Sequence, residues 1–361
     1  MIKVNAGDLS KAMSFIWQAY KSKTPMEIMN NVKIDVADKV ATLTYTNGEQ
    51  ELTHAIAADH KEPESFTVEL KKFKDRVSQY DKESDVKIKF DSEKLKASVT
   101  CGRSKITLNG RPSDEYPSSN SSGEFKNITF EGAELKSALA TVKSAQAIND
   151  VRYYLNGVLI QLSGKSCSVV ATDGHRMHVC TLDVQTDVEQ DCIIPASAIA
   201  PIHKFLDSGE VVVRVSANHL RISDEESSIQ TNLIDGRFPD WKRVVPLQNT
   251  GELTFNTAEL SSAIKGALVT SNEKFKGVKL LVGGGSATVE SSSPDGTSSE
   301  DVIECATTGV DDIEFGVNGV YILGALDSIE ESNVTLLVKD ASSSMLIKEG
   351  GYMAVVMPMR L

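Results

Sequence analysis

The sequence predicts an α+β chain made of three copies of one domain, each with two helices packed on antiparallel sheets. Two observations predict this fold class: one strand–helix segment occurs three times at nearly one period, and a second strand–helix segment recurs between its copies. The period of about 125 residues indicates repeated whole domains, because the repeats of solenoid proteins are far shorter. The 361 residues are enough for three domains of ordinary size.

The first recurring segment joins a short strand to an amphipathic helix. Residues 128–139 read ITFEGAELKSAL and residues 253–264 read LTFNTAELSSAI, an offset of 125 residues. A weaker copy begins at Ile2. In all three copies apolar residues fall at positions i, i+3, i+4 and i+7 of the helix. These residues are Leu9, Ala12, Met13 and Ile16, then Leu135, Ala138, Leu139 and Val142, then Leu260, Ala263, Ile264 and Ala267.

The second recurring segment gives each copy another strand and helix. It reads FTVELKKFKDRV from Phe66, CIIPASAIAPIHKFL from Cys192 and EFGVNGVYILGALDSI from Glu314. Turn-rich stretches at 117–123 and 248–251 precede the second and third copies, which predicts domains 1–123, 124–249 and 250–361. The six predicted helices are 8–21, 71–79, 134–144, 197–207, 259–269 and 318–327.

Charge is distributed unevenly between these helices and the rest of the chain. The six helices contain ten basic and six acidic residues, although the chain carries a net charge of -12. Three of the acids, Asp8, Glu134 and Glu259, lie in first turns, where they favour the helix dipole. A basic helical face and an acidic sheet surface would hold DNA phosphates without reading bases. Chance is the other explanation, and the sixth helix, with no lysine or arginine, departs from the trend.

Composition excludes several classes of protein. No segment approaches the roughly 18 apolar residues of a membrane span, and the N-terminus lacks the apolar run of a signal peptide. The five cysteines are odd in number and show no CxxC pairing. This pattern favours reduced thiols in a cytoplasmic protein over disulfides or a zinc site. We therefore expect no membrane association and no cofactor.

No short motif predicts catalysis or metal binding. Asp173 and His175 follow a strand as an acid–base pair would, but no nucleophile accompanies them at a matching spacing. His175 and His178 lie in a predicted strand, which sends them to opposite faces and argues against a shared metal ion. Residues 283–285 are three glycines without the Lys-Ser/Thr of a phosphate loop, which favours a hairpin turn. A DNA-modifying enzyme that uses Asp173 and His175 remains an alternative.

Two segments, one with paired aromatic residues and one rich in methionine, have a role that the sequence leaves open. RYYLNG at 152–157 is either a half-buried strand start or a pair of aromatics that contact DNA bases or sugars. The terminal VVMPMRL at 355–361 is either buried in a core or a plastic peptide-binding surface, which methionine favours.

These two segments, ATDGHR at 171–176, DGRFPDW at 235–241 and the threefold repeat together resemble the bacterial beta subunit of DNA polymerase III, the replicative sliding clamp. The likeness runs the full length and includes SNEKFKGVKL at 271–280; the tail is most similar to clamps of enteric and related bacteria. It implies a non-catalytic processivity factor without metal or cofactor. Two such chains would form a ring-shaped homodimer, head to tail, around duplex DNA.

The resemblance also implies three sets of functional residues. A pocket on the third domain, with a wall from the second, would bind short linear motifs of the replicative polymerase alpha subunit, the clamp loader, translesion polymerases and repair proteins. Its residues would be Leu155, Thr172, Gly174, His175, Arg176, Met177, Pro239, Arg243, Val244, Ser344, Val355, Met357, Pro358 and Met359. DNA contacts would be Lys23, Lys71, Lys72, Arg152, Tyr153 and Tyr154. The dimer interface would use Arg103, Lys105, Ile106, Leu108, Val269, Thr270, Glu300, Asp301 and Glu304.

The chain departs from the family pattern at several positions. Lys23 stands where the family has an arginine, which keeps the charge but loses the planar fork. Val269 and Thr270 stand where the family has two large aliphatic residues, so we expect Thr270 to weaken the dimer. Serine-rich stretches at 118–122 and 291–299 favour a divergent copy carried by a phage or plasmid. A peptide-binding hub that does not bind DNA is the third hypothesis for the function of the chain.

Overall fold

The computed structural model describes residues 1–117, 124–310 and 312–360. The predicted domain boundary at residue 123 and the serine-rich stretch 118–122 lie outside the described residues. The chain forms two compact units. Unit 1 contains the described residues of Met1–Ala133 together with Ser197–Leu233, and unit 2 contains Glu134–Ala196 together with the described residues from Ile234 onward.

The six predicted helices are confirmed, with small shifts at their ends. The first helix ends at Ile16 and continues as a 3-10 turn, Trp17–Ala19, because Tyr20 takes an extended backbone and stacks on Trp17 at 4.0 Å between ring centroids. Asn5, Asn256 and Asn318 are N-cap residues that accept backbone N–H groups. The helices are α1 Ala6–Ile16, α2 Leu70–Val77, α3 Gly132–Lys143, α4 Ala196–Phe205, α5 Thr257–Thr270 and α6 Gly319–Leu326.

Many strands, such as Gln50–Ala57 and Gly277–Gly283, alternate buried and more exposed residues, and the strands of the described residues pair antiparallel with one another. Each helix directly follows a strand, as both repeated segments predict. The strands are β1 Ile2–Asn5, β2 Asn31–Ala37, β3 Val40–Thr46, β4 Gln50–Ala57, β5 Asp59–His60, β6 Glu64–Glu69, β7 Asp85–Asp91, β8 Lys96–Cys101, β9 Ser104–Pro112, β10 Lys126–Glu131, β11 Gly157–Ser163, β12 Ser166–Thr172, β13 Arg176–Asp183, β14 Gln190–Pro195, β15 Glu210–Val215, β16 His219–Ser223, β17 Ser227–Asn232, β18 Gly251–Asn256, β19 Gly277–Gly283, β20 Ser286–Ser292, β21 Ser298–Glu304, β22 Ala306–Thr308, β23 Ile313–Asn318, β24 Asn333–Val338, β25 Met345–Glu349 and β26 Tyr352–Val356.

Unit 1 contains one 13-stranded sheet in the order β10-β15-β16-β17-β4-β3-β2-β6-β9-β8-β7-β1-β5. Strand β17 of the central repeat pairs with β4 of the first repeat, with Ile229 opposite Leu52. Helix α1 packs on β3 and β4 and beside α2. The large side chains Tyr45, Phe66 and Phe73 are fully buried in this core.

Unit 2 contains a nine-stranded sheet and a four-stranded sheet. Their orders are β14-β11-β12-β13-β26-β25-β24-β18-β22 and β21-β20-β19-β23. Strand β13 of the central repeat pairs with β26 of the third repeat, with Val179 opposite Met353. Residues 283–285 form the predicted hairpin turn between β19 and β20, where Gly284 and Gly285 have φ of +62° and +84°.

The two compact units do not coincide with three sequence domains. The central repeat contributes β10 and β15 to β17 to the sheet of unit 1, and β11 to β14 to the nine-stranded sheet of unit 2. The central repeat is divided because one of its two sets of strands pairs with the first repeat, through β17 and β4. Its other set pairs with the third repeat, through β13 and β26. The limits 1–123, 124–249 and 250–361 therefore stay predictions.

Tyr116 stabilises unit 1 with a buried hydroxyl. It donates to the Asn31 carbonyl oxygen at 3.0 Å and accepts the Thr46 backbone N–H at 3.1 Å. In Tyr116→Phe both backbone groups lose this partner, so the free energy of unfolding should fall by about 1–3 kcal/mol. Urea unfolding at one protein concentration measures the loss.

Tyr80→Phe is the matched control. The Tyr80 hydroxyl is buried but forms no hydrogen bond within the described residues, so its removal should leave the free energy of unfolding nearly unchanged. Equal effects of the two substitutions would contradict the role assigned to the Tyr116 hydroxyl.

Candidate functional site

The turn between β12 and β13 is built by the Asp173 carboxylate. Its Oδ1 accepts the backbone N–H groups of His175 at 2.9 Å and Arg176 at 3.0 Å. Thr172 Oγ1 donates to the Arg176 carbonyl oxygen at 2.6 Å and accepts the N–H of Gly174, whose φ is +88°. The carboxylate is therefore occupied by the backbone of its own turn, and the geometry supports no acid–base pair with the His175 imidazole.

Arg176 lies at the base of this turn, and contacts on several sides fix the direction of its side chain. Its Nε lies 3.2 Å from Asp173 Oδ2, and its guanidinium lies 4.4 Å from the centroid of the Tyr321 ring on α6. A Cβ added at Gly324, one helical turn further, would lie 3.3 Å from the Arg176 Nη1. The ion pair, the aromatic ring and the small residue together leave the side chain 14% exposed and fix its direction.

Arg152 closes the other side of the turn. It donates to both oxygens of Asp150, at 3.0 and 2.8 Å, and to the Asp173 carbonyl oxygen at 3.1 Å. Side-chain hydrogen bonding from Arg152 is the first cause that lowers the pKa of Asp150 to about 2. The Arg152 guanidinium is thus partly engaged in hydrogen bonds that hold the turn in place. A Cβ at Gly174 would lie 3.0 Å from the Arg152 Nη1, so glycine is required there.

The methionine-rich tail lies at the surface of unit 2. After β26 ends, Met357 donates its N–H to the His175 carbonyl oxygen at 2.9 Å, and Met359 donates to the Gly316 carbonyl oxygen at 2.8 Å. These bonds pin the backbone while the Met357 side chain stays 43% exposed and Pro358 and Met359 stay partly exposed. Burial in a core, one of the two sequence readings, is wrong for these residues because pairing with β13 stops at Val356.

Three of the predicted pocket residues are buried. Leu155, Met177 and Val355 are buried in one hydrophobic cluster with Phe238 and Trp241. The Trp241 indole N–H also donates to Gln161 Oε1 at 3.1 Å. The buried aromatics anchor the segment that presents the exposed Pro239, Arg243 and Val244, and Ser344 is partly exposed. We interpret the buried Leu155, Met177 and Val355 as support for the surface. The exposed and partly exposed residues are interpreted as the surface itself.

The sequence reasoning missed two aromatic residues of this region. Tyr321 lies under Arg176, and Phe275 is 55% exposed in a loop whose carbonyl oxygen accepts the Asn318 side chain at 3.2 Å. Asn318 ends β23, the strand on which Met359 is pinned. An aromatic residue within the polar run at 271–276 was the available signal.

Five of the six predicted DNA contacts are exposed, but they lie in different elements, and Tyr154 is partly buried against the hydrophobic cluster of Leu155 and Trp241. Lys71 and Lys72 on α2 form ion pairs with Asp75 at 2.8 Å and Glu69 at 2.7 Å. Lys23 is exposed in the loop after α1. In unit 2, Tyr153 is 56% exposed, and it begins a 3-10 turn, Tyr153–Leu155. The reading of this segment as a strand start is therefore wrong, because β11 begins only at Gly157.

Strand β9 in unit 1 carries three of the predicted dimer residues, Lys105, Ile106 and Leu108, and Arg103 lies in the turn just before it. Ser104 to Asn109 pair with β8 alone, so their other edge has no strand partner among the described residues. Arg103 and Lys105 are exposed there and form no ion pair within the described ranges. Ile106 is partly exposed, whereas Leu108 is 3% exposed in the core. Leu108 thus supports the edge from inside and does not reach its surface.

Strand β21 in unit 2 is likewise an edge, since β20 is its one strand partner among the described residues. Glu300, Asp301 and Glu304 are exposed on it without an ion pair to any described residue. Val269 at the end of α5 is 83% exposed. The neighbouring Thr270 instead directs its hydroxyl to Ser291 at 2.7 Å and Ser299 at 2.8 Å; these are Oγ–Oγ distances within its own unit.

Three family models match the chain in succession. They describe the N-terminal domain of the DNA polymerase III beta subunit at residues 1–120, its central domain at 129–240 and its C-terminal domain at 242–360. The chain belongs to the DNA polymerase III beta subunit family, the bacterial beta sliding clamps. The clamp of Escherichia coli K12 is 30% identical over 343 residues, 93% of each chain, and that of Pseudomonas aeruginosa is 30% identical over 98% of each.

Solved structures confirm the fold of this sliding clamp. The crystal structure of the Pseudomonas aeruginosa DNA polymerase III subunit beta matches it with a TM-score of 0.95 and 29% identity, over 100% of both chains. A crystal structure of that organism's clamp bound to griselimycin matches with a TM-score of 0.93 and 28% identity, over 99% of both. The predicted class, α+β with three clamp domains, is therefore correct. The origin from a phage or plasmid stays a prediction.

Two further findings concern the described residues only. They contain no cluster of three or more His, Cys, Asp or Glu side chains that could hold a metal ion. None of their helices is long and apolar enough to cross a membrane.

His178 predicts a pH dependence of stability. It is fully buried near the Thr141 carbonyl oxygen, the Ser144 hydroxyl, Tyr352 and Arg176, and burial lowers its pKa to about 4. Below about pH 6.5 the unfolded chain gains a proton that the folded chain gains only near pH 4. Stability should therefore fall as pH falls through this window, by about 2 kcal/mol at pH 5.

Urea unfolding at pH 7 and pH 5 checks this dependence. His178→Gln should lose less stability between the two values than the wild type, because it removes the titrating group. His175→Gln changes an exposed histidine of the same unit and should lose as much as the wild type. The same loss in His178→Gln and in the wild type would exclude His178 as the cause.

Proposed function

We propose that two copies of this chain close head to tail into a ring around duplex DNA and tether replication and repair proteins to it. The observation that carries the ring is the pair of unpaired strand edges with opposite charge. Lys105 stands on β9 and Arg103 in the turn just before it, and Glu300 and Glu304 stand on β21. An edge strand offers unpaired N–H and C=O groups to another chain. Joining β9 of one copy to β21 of another would satisfy both edges and match their charges.

The helices supply the charge that suits DNA. Within their observed bounds they contain nine basic and four acidic residues, a balance of +5, while the chain carries -12. Lysine side chains that hold phosphates through counterion release bind without sequence preference and allow sliding. This distribution favours helices that face the DNA, with Lys23, Lys71 and Lys72 among the contacts, and it favours Arg152, Tyr153 and Tyr154 as contacts from unit 2.

The surface between the Asp173 turn and the terminal methionines suits a short peptide. It combines exposed apolar side chains with a guanidinium whose direction is fixed, and methionine adapts to differently shaped partners. Peptides of the polymerase, the clamp loader and repair proteins would bind there. Binding one end of a polymerase raises its effective concentration at the primer terminus. In this mechanism the chain makes and breaks no covalent bond, and its cytoplasmic location remains a prediction.

The ring predicts retention by topology. Loaded onto a nicked circular duplex by a bacterial clamp loader, the chain should co-elute with the DNA in gel filtration. Cleavage of the circle with a restriction enzyme should release it, because a ring slides off an end. Equal retention on circular and linear DNA would indicate binding by contacts alone. Catalytic turnover of the DNA would favour the modifying enzyme, and no retention on either form would favour the peptide-binding hub.

Met359 should be an anchor for bound peptides. Met359→Ala removes a partly exposed apolar side chain from a fixed backbone, so the affinity for a clamp-binding peptide should fall by roughly 2 kcal/mol or more. Fluorescence anisotropy with a labelled peptide measures the change. Met26→Ala, at an exposed methionine of unit 1, is the matched control and should bind normally. Unchanged affinity in Met359→Ala would remove the tail from the binding surface.

A further inference from the structure

Arg76 on α2 lies beside the unpaired edge of β9 and has an unused donor. Its guanidinium donates to the Ser104 hydroxyl and lies 5.4 Å from the centroid of the Tyr80 ring. The Arg76 Nε and the Tyr80 hydroxyl are both buried, and neither has a hydrogen-bond partner among the described residues. Buried donors of folded proteins are almost always paired. Arg76 as a whole is partly exposed and forms no ion pair within the described residues, so the rest of its guanidinium can meet a group from another chain at the free strand edge.

The strand periodicity places Arg76 on the helix side of this edge. Ser104 contacts Arg76 and is one residue from Lys105, so the two side chains point to opposite faces of β9. Ile106 shares the Ser104 face. Lys105 therefore belongs to the outer face, and the charge available on the helix side of β9 is that of Arg76.

Asp301 has the corresponding place on β21. Ser299 bonds with Thr270 of α5, and Asp301, two residues later on β21, lies on the same helix side. A Cβ at Gly266 of α5 would lie 3.0 Å from Asp301 Oδ2, so this glycine leaves room for the carboxylate although glycine is unfavourable inside a helix. Asp301 forms neither a hydrogen bond nor an ion pair within the described residues.

We propose that Arg76 of one copy forms an ion pair with Asp301 of a second copy, on the helix side of the interface between them. The proposal rests on the ring proposed above and assigns a contact within it. When β9 of one copy continues the sheet of β21 of another, the helix-side residues of both strands share one layer. Arg76 then meets Asp301, while Lys105 on the outer face meets Glu300 and Glu304.

This ion pair replaces apolar contact that the sequence lacks. Of the pair at 269–270, only Val269 presents an apolar side chain, since the Thr270 hydroxyl is bonded within its own unit. Val269 and Ile106 flank the layer that holds Arg76 and Asp301 and would exclude water from it. A charge pair shielded in this way interacts more strongly than an exposed pair on a rim. The ring would contain the pair twice, once in each interface.

Exchange of the two charges tests the pairing. In Arg76→Glu the new carboxylate faces Asp301 of the second copy, and in Asp301→Lys the new ammonium faces Arg76. Each variant alone should self-associate about tenfold more weakly or worse, because like charges meet in both interfaces. A mixed dimer of the two variants has one native pair and one reversed pair. It should therefore form well beyond the 1:2:1 proportions of random mixing.

Native mass spectrometry with one variant isotopically labelled measures these proportions. Lys87→Glu makes the same charge change on an exposed residue of β7 and should leave self-association unaltered. Preference for the mixed dimer cannot arise from misfolding, because a misfolded chain would not regain affinity when combined with another weakened one. Random proportions would overturn the Arg76–Asp301 pair. A wild-type chain that stays monomeric at micromolar concentration would instead overturn the ring itself.

Discussion

A β-strand that pairs along one edge leaves a row of N–H and C=O groups unpaired along the other, and such groups must find a partner or face water. Each repeat of this chain has sheet edges of this kind. In unit 1 the problem is solved where β17 pairs with β4, and in unit 2 where β13 pairs with β26. The central repeat therefore contributes to two sheets, and the compact units depend on edge pairing more than on the order of the repeats.

The same constraint explains where the candidate binding surface forms. Pairing with β13 stops at Val356, and the chain continues with two isolated backbone bonds, from Met357 and from Met359. These bonds satisfy the backbone but leave the side chains at the surface. Beneath them, Leu155, Met177 and Trp241 form a packed floor. The result is an apolar and adaptable surface on a rigid base, which suits recognition of short peptides.

The strand edges that stay unpaired within one copy of this sliding clamp, those of β9 and β21, carry charged residues. In the ring proposed above, the positive residues at β9 and the negative residues of β21 would disfavour pairing of either edge with a copy of itself and would favour the pairing of one edge with the other. Hydroxyl groups at Thr270, Ser291 and Ser299 take the place of apolar packing near β21. An interface built in this way depends on charge, and its strength should therefore vary with ionic strength.

The sequence by itself determined the repeat, the six helices, the antiparallel class and the family, because apolar periodicity depends on local geometry and survives in a single chain. It also predicted that the residues near Asp173 and the terminal methionines belong to one site, through the resemblance alone. Only the tertiary structure decided that Leu155 and Val355 are buried while the Met357 side chain is exposed. It likewise decided that Tyr321 fixes Arg176 and that Thr270 bonds within its own unit. These outcomes depend on which strand edges meet, and such pairing joins residues far apart in the chain that no local pattern records.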